Sequence, residues 1–162
     1  MANLTEGTIA PDFTLPRDGG ETVSLSQFKG KAIVLFFYPK DDTSGCTAES
    51  IAFTGLKDEF AAAGAVIIGL SPDSVKKHDK FAKKYDLSVI LAADEEKTVV
   101  NAYGVWVEKS LYGRKYMGVE RTTLLIDAEG VVRRLWEKVK VPGHAEEVLA
   151  AVKDLARADA GQ

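Results

Sequence analysis

The sequence predicts an α/β fold, and this prediction depends on two apolar runs and the segment between them. Residues 32–38 are apolar without alternation and rich in β-branched and aromatic side chains, which is typical of a central, parallel strand buried on both faces. From Ala48 to Phe60, apolar residues recur at steps of three and four, which indicates one face of a helix. Residues 65–70 form a second apolar run of strand type. A strand, a helix and a strand in this order predict a βαβ unit.

Two short strands are predicted before the central one. Residues 10–16 alternate weakly between apolar and polar side chains and are bracketed by prolines, which favours a short edge strand. A turn at residues 18–20 leads to a partner strand over residues 22–25. Ser24 or Ser26 then begins a single helical turn before the central strand.

Beyond the central strand, helices and strands are predicted to alternate. Pro39 ends the strand because it has no N–H to donate. The following helix is expected to run to Ala63, with Gly64 as its left-handed stop. The next predicted elements are a Lys-rich amphipathic helix over residues 75–85, a third strand over residues 88–92 and a short helix over residues 98–104.

The last third of the chain predicts an antiparallel pair and a C-terminal helix. Residues 105–118 are aromatic-rich and are predicted to be irregular after a short strand extension at 105–107. A turn at 127–130 separates runs over residues 121–126 and 131–136, which is typical of a hairpin. A helix is predicted over residues 145–158, with fraying from residue 159 onward. These patterns support an α/β class, and the length indicates a single domain over residues 1–162.

Composition and charge exclude several classes of function. The net charge of −3 shows no basic concentration beyond local lysine pairs, so we expect neither nucleic acid nor a membrane surface as a partner. Residues 1–7 lack the pattern of a signal peptide, and no apolar run approaches the length of a membrane span, so a cytoplasmic location is expected. Cys46 is the only cysteine, which excludes an internal disulfide and Cys-x-x-Cys redox chemistry. His78 and His144 lack the spacing of metal ligands, and neither a metal nor an organic cofactor is expected.

Cys46 lies where a thiolate is favoured. It falls in the first turn of the predicted helix, for which Thr43 or Ser44 can serve as the N-cap. The unpaired N–H groups of that turn and the positive end of the helix dipole stabilise negative charge on the sulfur. The alternative interpretation is a small, buried and unreactive apolar residue. Glu49 follows on the same helical face, where it either contacts the reacting groups or faces solvent.

Residues 39–46, Pro-Lys-Asp-Asp-Thr-Ser-Gly-Cys, resemble the Pro-x-x-x-Thr-x-x-Cys signature of peroxiredoxins. Residues 37–43 are similar to the bacterioferritin-comigratory (BCP/PrxQ) branch of that family, and the resemblance extends from residues 10–15 to residues 121–127. Ser44 stands where the family commonly has proline, a change that the motif tolerates because serine caps helices well. The resemblance implies a thioredoxin-like fold with an N-terminal β-hairpin.

The resemblance also implies roles for individual residues. Cys46 would be the attacking, or peroxidatic, thiolate. Thr43 would supply a hydroxyl that hydrogen-bonds peroxide and sulfur, and Arg121 the cation that stabilises the thiolate and the transition state. Pro39 would shield the pocket from water, and Glu49 would hold Arg121 in place. The alternative interpretations are an N-cap for Thr43 and a surface strand residue for Arg121.

A second, resolving cysteine is missing from the sequence. Relatives often carry one five residues after the first cysteine or in the following helix, and the resemblance matches these positions to Ile51 and Ala82 of this chain. The resemblance implies that Cys46 reacts with hydrogen peroxide or a small organic hydroperoxide and that an external thiol, such as thioredoxin, glutaredoxin or glutathione, reduces the resulting sulfenic acid. It also implies a monomer or weak dimer. The alternatives are a sulfenate-based redox sensor that changes a protein contact and a thioredoxin-fold binding module with an inert thiol.

Overall fold

The computed structural model describes residues 4–160 and has a five-stranded mixed sheet at its centre. The strands are β1 (Thr14–Pro16), β2 (Thr22–Ser24), β3 (Ala32–Phe37), β4 (Ala65–Ser71), β5 (Ile90–Ala93), β6 (Trp106–Leu111), β7 (Arg114–Val119), β8 (Thr122–Ile126) and β9 (Val132–Trp136). The helices are α1 (Ser44–Gly55), α2 (Lys57–Ala62), α3 (Val75–Tyr85), α4 (Thr98–Ala102) and α5 (His144–Ala160), and a 3₁₀ turn spans Leu25–Phe28. The central sheet has the strand order β5-β4-β3-β8-β9.

The predicted central strand is confirmed as β3, the middle strand of the sheet. It pairs in parallel with β4 but antiparallel with β8, so the prediction of a parallel strand holds on one side only. Its side chains alternate between two cores: Leu35 and Phe37 pack with the N-terminal hairpin and α4, whereas Phe36 packs with helices α1, α2, α3 and α5. All three are fully buried. Because both faces of the strand are covered, its sequence is continuously apolar.

The N-terminal hairpin that the resemblance implied is present. Strands β1 and β2 pair antiparallel, with Leu15 opposite Val23, and the 3₁₀ turn follows directly. The strand predicted over residues 10–16 is shortened to its last three residues. The antiparallel pair β8–β9 and the helix over residues 75–85 are confirmed.

The helix that carries Cys46 does not continue to Ala63, so that prediction is wrong. The chain breaks at Leu56, whose φ and ψ angles are −105° and 5°, and this break separates α1 from α2. Gly55 immediately precedes the break and weakens the helix there, because glycine loses more conformational entropy than other residues on entering a helix. Gly64 ends the second segment with a φ of 84°, as its predicted role requires.

The prediction that residues 105–118 are irregular is also wrong. Strands β6 and β7 form a regular antiparallel hairpin, with Trp106 opposite Val119. Tyr112 and Gly113 have φ angles of 52° and 78°, and two consecutive left-handed residues are what a tight two-residue hairpin turn needs. Gly113 was the available sequence signal, but tyrosine rarely takes the first of these positions.

Helix α5 extends slightly further than predicted at both ends. It begins at His144 and ends at Ala160, and residues 161–162, which were also predicted to fray, lie outside the described part of the chain. Within residues 4–160, no helix is long and apolar enough to cross a membrane. The same residues contain no group of three His, Cys, Asp or Glu side chains arranged to hold a metal ion.

Candidate active site

Cys46 lies in the first turn of α1, just beyond the carboxyl end of β3. Tyr38 extends the β3 ladder by donating its N–H to the carbonyl of Leu70 at 3.1 Å, and Pro39 then ends the pairing because it has no N–H. Residues 39–45, which we call the active-site loop, lead into the helix, and Thr43 takes the N-cap position with extended backbone angles. The Cys46 side chain is fully buried.

Arg121 lies beside Cys46 because β8 runs antiparallel to β3. Thr122, the first residue of β8, pairs with Phe37 at the end of β3, so the residue before it reaches the active-site loop. The Arg121 guanidinium donates from Nη2 to the Cys46 sulfur at 3.3 Å and from Nη1 to Glu49 Oε1 at 2.6 Å. One planar cation therefore bridges the sulfur and the carboxylate. Burial alone would lower the pKa of Arg121, but the neighbouring sulfur and carboxylate raise it, so the guanidinium stays charged.

Glu49 faces the interior, with only 1% of its surface exposed. Burial raises the pKa of its carboxyl to about 7, although the charge and hydrogen bond of Arg121 act in the opposite direction. Its Oε2 atom is buried and has no hydrogen-bond partner among the residues that the structure describes. A buried carboxylate with only one of its two oxygens hydrogen-bonded is poorly stabilised in its charged form. Glu49 therefore exchanges a proton near neutral pH while it contacts Arg121.

Gly45 is a functional position that the sequence reasoning missed. A Cβ atom built on Gly45 would lie 3.0 Å from Arg121 Nη2, closer than side chains normally approach. The absence of a side chain therefore lets the guanidinium reach the Cys46 sulfur over the helix backbone. The signal was the glycine directly before the cysteine, in a helical first turn where its backbone flexibility is not needed.

Thr43 and Pro39 lie in the active-site loop, and within residues 4–160 neither side chain forms a hydrogen bond with the Cys46 sulfur. The Thr43 hydroxyl donates to the carbonyl of Lys40 at 2.8 Å. Because a hydroxyl has a single proton, Thr43 in this geometry can only accept a further hydrogen bond. Its side chain is exposed, whereas Pro39 is half-buried next to the end of β3.

The two aspartates of the loop do not face the thiolate as unpaired charges. Asp42 points outward, where its carboxylate accepts hydrogen bonds from Lys84 at 2.8 Å and from the hydroxyl of Tyr85 at 2.6 Å. Asp41 points inward and lies 2.6 Å from the ring of His78 in α3. The sequence reasoning gave His78 no role. Its place on the apolar stripe of an amphipathic helix was the signal that its side chain faces the interior.

The β6–β7 hairpin contributes a second cation near the sulfur. Lys109 in β6 is half-buried. Burial lowers its pKa, and the positive charge of Arg121 lowers it further, while the Cys46 sulfur acts in the opposite direction. The segment that was expected to be irregular thus supplies charge to the surroundings of Cys46.

Comparison with known sequences gives matches along almost the whole chain. Residues 7–135 match the model of the AhpC/TSA family. The chain is 52% identical over 147 residues to a putative peroxiredoxin bcp of Coxiella burnetii, a match that covers 91% of this chain and 97% of that protein. It is 50% identical over 149 residues to peroxiredoxin Bcp of Bacillus subtilis, with 92% and 95% of the two chains covered.

Solved structures with the same fold cover the chain to a similar extent. A Cys-to-Ser mutant of Xylella fastidiosa PrxQ superposes with a TM-score of 0.91 at 35% identity, over 96% of this chain and 99% of the other. The Xanthomonas campestris bacterioferritin comigratory protein, studied for its alkyl peroxide reduction activity, superposes with a TM-score of 0.87 at 42% identity, again over 96% and 99%.

Proposed function

The chain belongs to the AhpC/TSA family and, within it, to the Bcp/PrxQ peroxiredoxins, which are thiol-dependent peroxidases, and on this premise we propose that Cys46 is the residue that attacks peroxide. The observation that carries the proposal is the 3.3 Å contact between the Cys46 sulfur and Arg121 Nη2 in the first turn of α1. A guanidinium and a helix N-terminus both stabilise a thiolate, which is the reactive form of cysteine.

The thiolate attacks the terminal oxygen of a hydroperoxide. An S–O bond forms and the O–O bond breaks, so Cys46 is oxidised by two electrons to a sulfenic acid and the alkoxide leaves with the electron pair. The alkoxide takes a proton from solvent and departs as an alcohol, or as water when the substrate is hydrogen peroxide. Because negative charge moves from sulfur to the departing oxygen, fixed donors along that path lower the barrier.

The surrounding residues support this reaction in different ways. Arg121 stabilises the thiolate and the growing charge, and Glu49 is a positioning residue that holds the guanidinium through its 2.6 Å contact. The Thr43 hydroxyl accepts the hydrogen bond of the peroxide O–H, since its own proton is engaged by Lys40. Pro39, which is half-buried next to the end of β3, shields the Cys46 sulfur from water.

An external thiol completes the cycle because the sequence contains no second cysteine. The thiol condenses with the sulfenic acid, water is released and a mixed disulfide forms; a second thiol then displaces Cys46 as a thiolate and leaves with the first as a disulfide. Thioredoxin, glutaredoxin and glutathione are the reductants we propose. The alkyl peroxide reduction of the Xanthomonas campestris relative supports organic hydroperoxides as substrates, and we extend the range to hydrogen peroxide.

The same proposal covers the setting of the enzyme. We infer that residues 1–162 act as one domain, which the family match over residues 7–135 and the two cores on one sheet support. A single thiol that depends on external reductants suits the cytoplasm, where thiols are kept reduced. We propose a monomer or weak dimer, in which the contacts of Arg121 with Cys46 and Glu49 lie within one chain.

Replacement of Arg121 by alanine tests the proposal. We expect the second-order rate of Cys46 oxidation by hydrogen peroxide to fall on the order of 10²- to 10³-fold, as when one donor to a developing charge is removed. Arg133→Ala is the matched control, since Arg133 is an exposed arginine of β9 bound to Asp127 at 3.3 Å, and it should leave the rate unchanged. Cys46→Ser should abolish turnover. An unchanged rate in Arg121→Ala would contradict the role of Arg121, and peroxide-inert wild-type Cys46 would contradict the proposed function.

A further inference from the structure

Helix α3 is joined to the active-site loop by a buried polar contact that the steps above do not use. Asp41 and His78 are both buried, and His78 Nδ1 lies 2.6 Å from Asp41 Oδ2. The other carboxylate oxygen of Asp41 accepts the hydroxyl proton of Tyr38 at 2.6 Å. The backbone N–H of Asp41 donates to Asp73 Oδ2 at 2.8 Å. Groups from the residue after β3, from α3 and from the connection before α3 thus converge on Asp41, in the loop that precedes Cys46.

Both ring nitrogens of His78 face hydrogen-bond acceptors. Nδ1 faces the Asp41 carboxylate, and Nε2 lies 2.9 Å from the carbonyl oxygen of Ala92 in β5. A neutral imidazole has one N–H and would direct a lone pair at one of these acceptors, whereas an imidazolium donates to both. The geometry therefore fits a buried imidazolium–carboxylate pair.

The next residue of the loop is held from the same helix. Asp42 has a φ of 61°, a left-handed conformation that residues with a Cβ rarely take. Lys84 and Tyr85 in α3 bind its carboxylate at 2.8 and 2.6 Å. Helix α3 thus constrains two consecutive loop residues immediately before the chain enters α1. The path of these residues decides where the first turn of α1, with Cys46, lies relative to Arg121.

We propose that Asp41 and His78 are positioning residues whose ion pair docks the active-site loop on α3 and so keeps the Cys46 sulfur within reach of Arg121. This inference rests on the proposed role of Cys46 as the nucleophile. Removing one charge leaves the other buried without compensation, which drives the loop toward solvent. The sulfur then moves away from the guanidinium, and its oxidation by peroxide slows.

Ionisation of His78 makes this docking pH-dependent. The titratable and charged groups around the ring are Asp41 from the loop, Tyr38 directly after β3, and Asp73 from the connection before α3. Lys77 of α3 lies 4.0 Å from Asp73. Burial alone would lower the pKa of His78, but the hydrogen bond and charge of Asp41 raise it above the ordinary value of 6.5. Because the pKa of His78 is higher in the folded state, the ion pair stabilises the docked loop fully below pH 6.5. This stabilisation is lost as the pH rises through the folded-state pKa of His78.

Nitrogen NMR of the reduced full-length chain tests the ion pair without any substitution. At pH 6, both ring nitrogens of His78 are expected to show the shifts of an imidazolium, and they should change to neutral values only at higher pH. Neutral-imidazole shifts at pH 6 would overturn the inference. His144, which is buried beside the hydroxyl of Thr123, provides an internal comparison because burial lowers its pKa.

Kinetics of the His78→Asn variant test the positioning role. Asparagine can keep an N–H near the Nδ1 position but removes the charge and the bond to Ala92, and we expect the second-order rate of Cys46 oxidation at pH 6 to fall about tenfold or more. The wild-type rate should decline on the alkaline side, and the variant should lack that decline. Asp94→Asn is the matched control, because Asp94 is a buried carboxylate that accepts the N–H of Val100 in α4, outside the loop. It should keep both the rate and the pH profile of the wild type.

The outcomes separate this inference from the proposed function. Equal rates and equal pH profiles in wild type and His78→Asn, with wild-type Cys46 still oxidised, would refute the positioning role alone. A wild-type Cys46 that does not react with peroxide would refute the proposed function instead. If His78→Asn does not fold, the wild-type protein alone tests the inference. The decline of its oxidation rate at alkaline pH must then coincide with the loss of the imidazolium signal of His78 in the NMR titration.

Discussion

Replacing Gly45 by alanine separates stability from catalysis, because the added methyl group acts on the two in opposite directions. Gly45 lies in the first turn of α1 without a positive φ, so alanine fits the backbone and favours the helix by up to about 1 kcal/mol. The new Cβ would lie 3.0 Å from Arg121 Nη2, and that side chain must yield by a few tenths of an ångström. The guanidinium therefore moves relative to the Cys46 sulfur, from which it is 3.3 Å away.

The size of the kinetic effect follows from this displacement. A misplacement of 1 Å costs on the order of 10²-fold in rate, so a shift of a few tenths of an ångström predicts a loss of roughly three- to tenfold. We would measure the second-order rate of Cys46 oxidation by rapid mixing with hydrogen peroxide, and the free energy of unfolding by urea titration of the reduced protein. The expected combination is a slower reaction in a protein at least as stable as the wild type.

Gly55→Ala is the matched control, since Gly55 belongs to the same helix and an added Cβ would meet no atom within 4 Å. It should change the free energy of unfolding without changing the rate of oxidation. A Gly45→Ala variant that reacts at the wild-type rate would refute the argument that the glycine makes room for Arg121. A variant that loses rate only in proportion to lost stability would refute it as well.

Two further predictions concern Glu49 and the fate of the oxidised sulfur. Burial raises the pKa of Glu49 from 4.5 to about 7, so between these pH values the carboxyl ionises in the unfolded chain but not in the folded one. The free energy of unfolding should therefore fall as the pH rises through this window. In urea titrations Glu49→Gln should not show this fall, and its oxidation rate should lack any inflection near pH 7. An unchanged profile in Glu49→Gln would show that another group titrates there. After one equivalent of peroxide without added thiol, a dimedone-type reagent should trap Cys46 as sulfenic acid in a monomer on non-reducing gels, and added thiol should restore turnover. Rapid and complete formation of a Cys46–Cys46 dimer would instead indicate resolution between subunits.

The aspartates of the active-site loop show what sequence reasoning could and could not decide. Asp41 and Asp42 are identical neighbours in the sequence, yet only Asp42 points outward. Asp41 is buried and compensated by His78, a residue of a different helix. Local sequence cannot predict such a contact, because it depends on how α3 packs against the loop after β4 has paired with β3. The apolar stripe of α3 indicated only that His78 faces inward.

The sequence by itself determined the local features of this protein. The continuous apolar run of β3, the proline that ends it and the place of Cys46 in the first turn of a helix depend on interactions between near neighbours in the chain, and the family signature lies within that stretch. Only the tertiary structure decided the environment of the sulfur. Arg121 is 75 residues away in the chain and reaches Cys46 because β8 pairs with β3 and because Gly45 leaves room for the guanidinium. The proton affinity of Glu49 likewise depends on its burial and on that distant cation, since desolvation and charge act through space and not along the sequence.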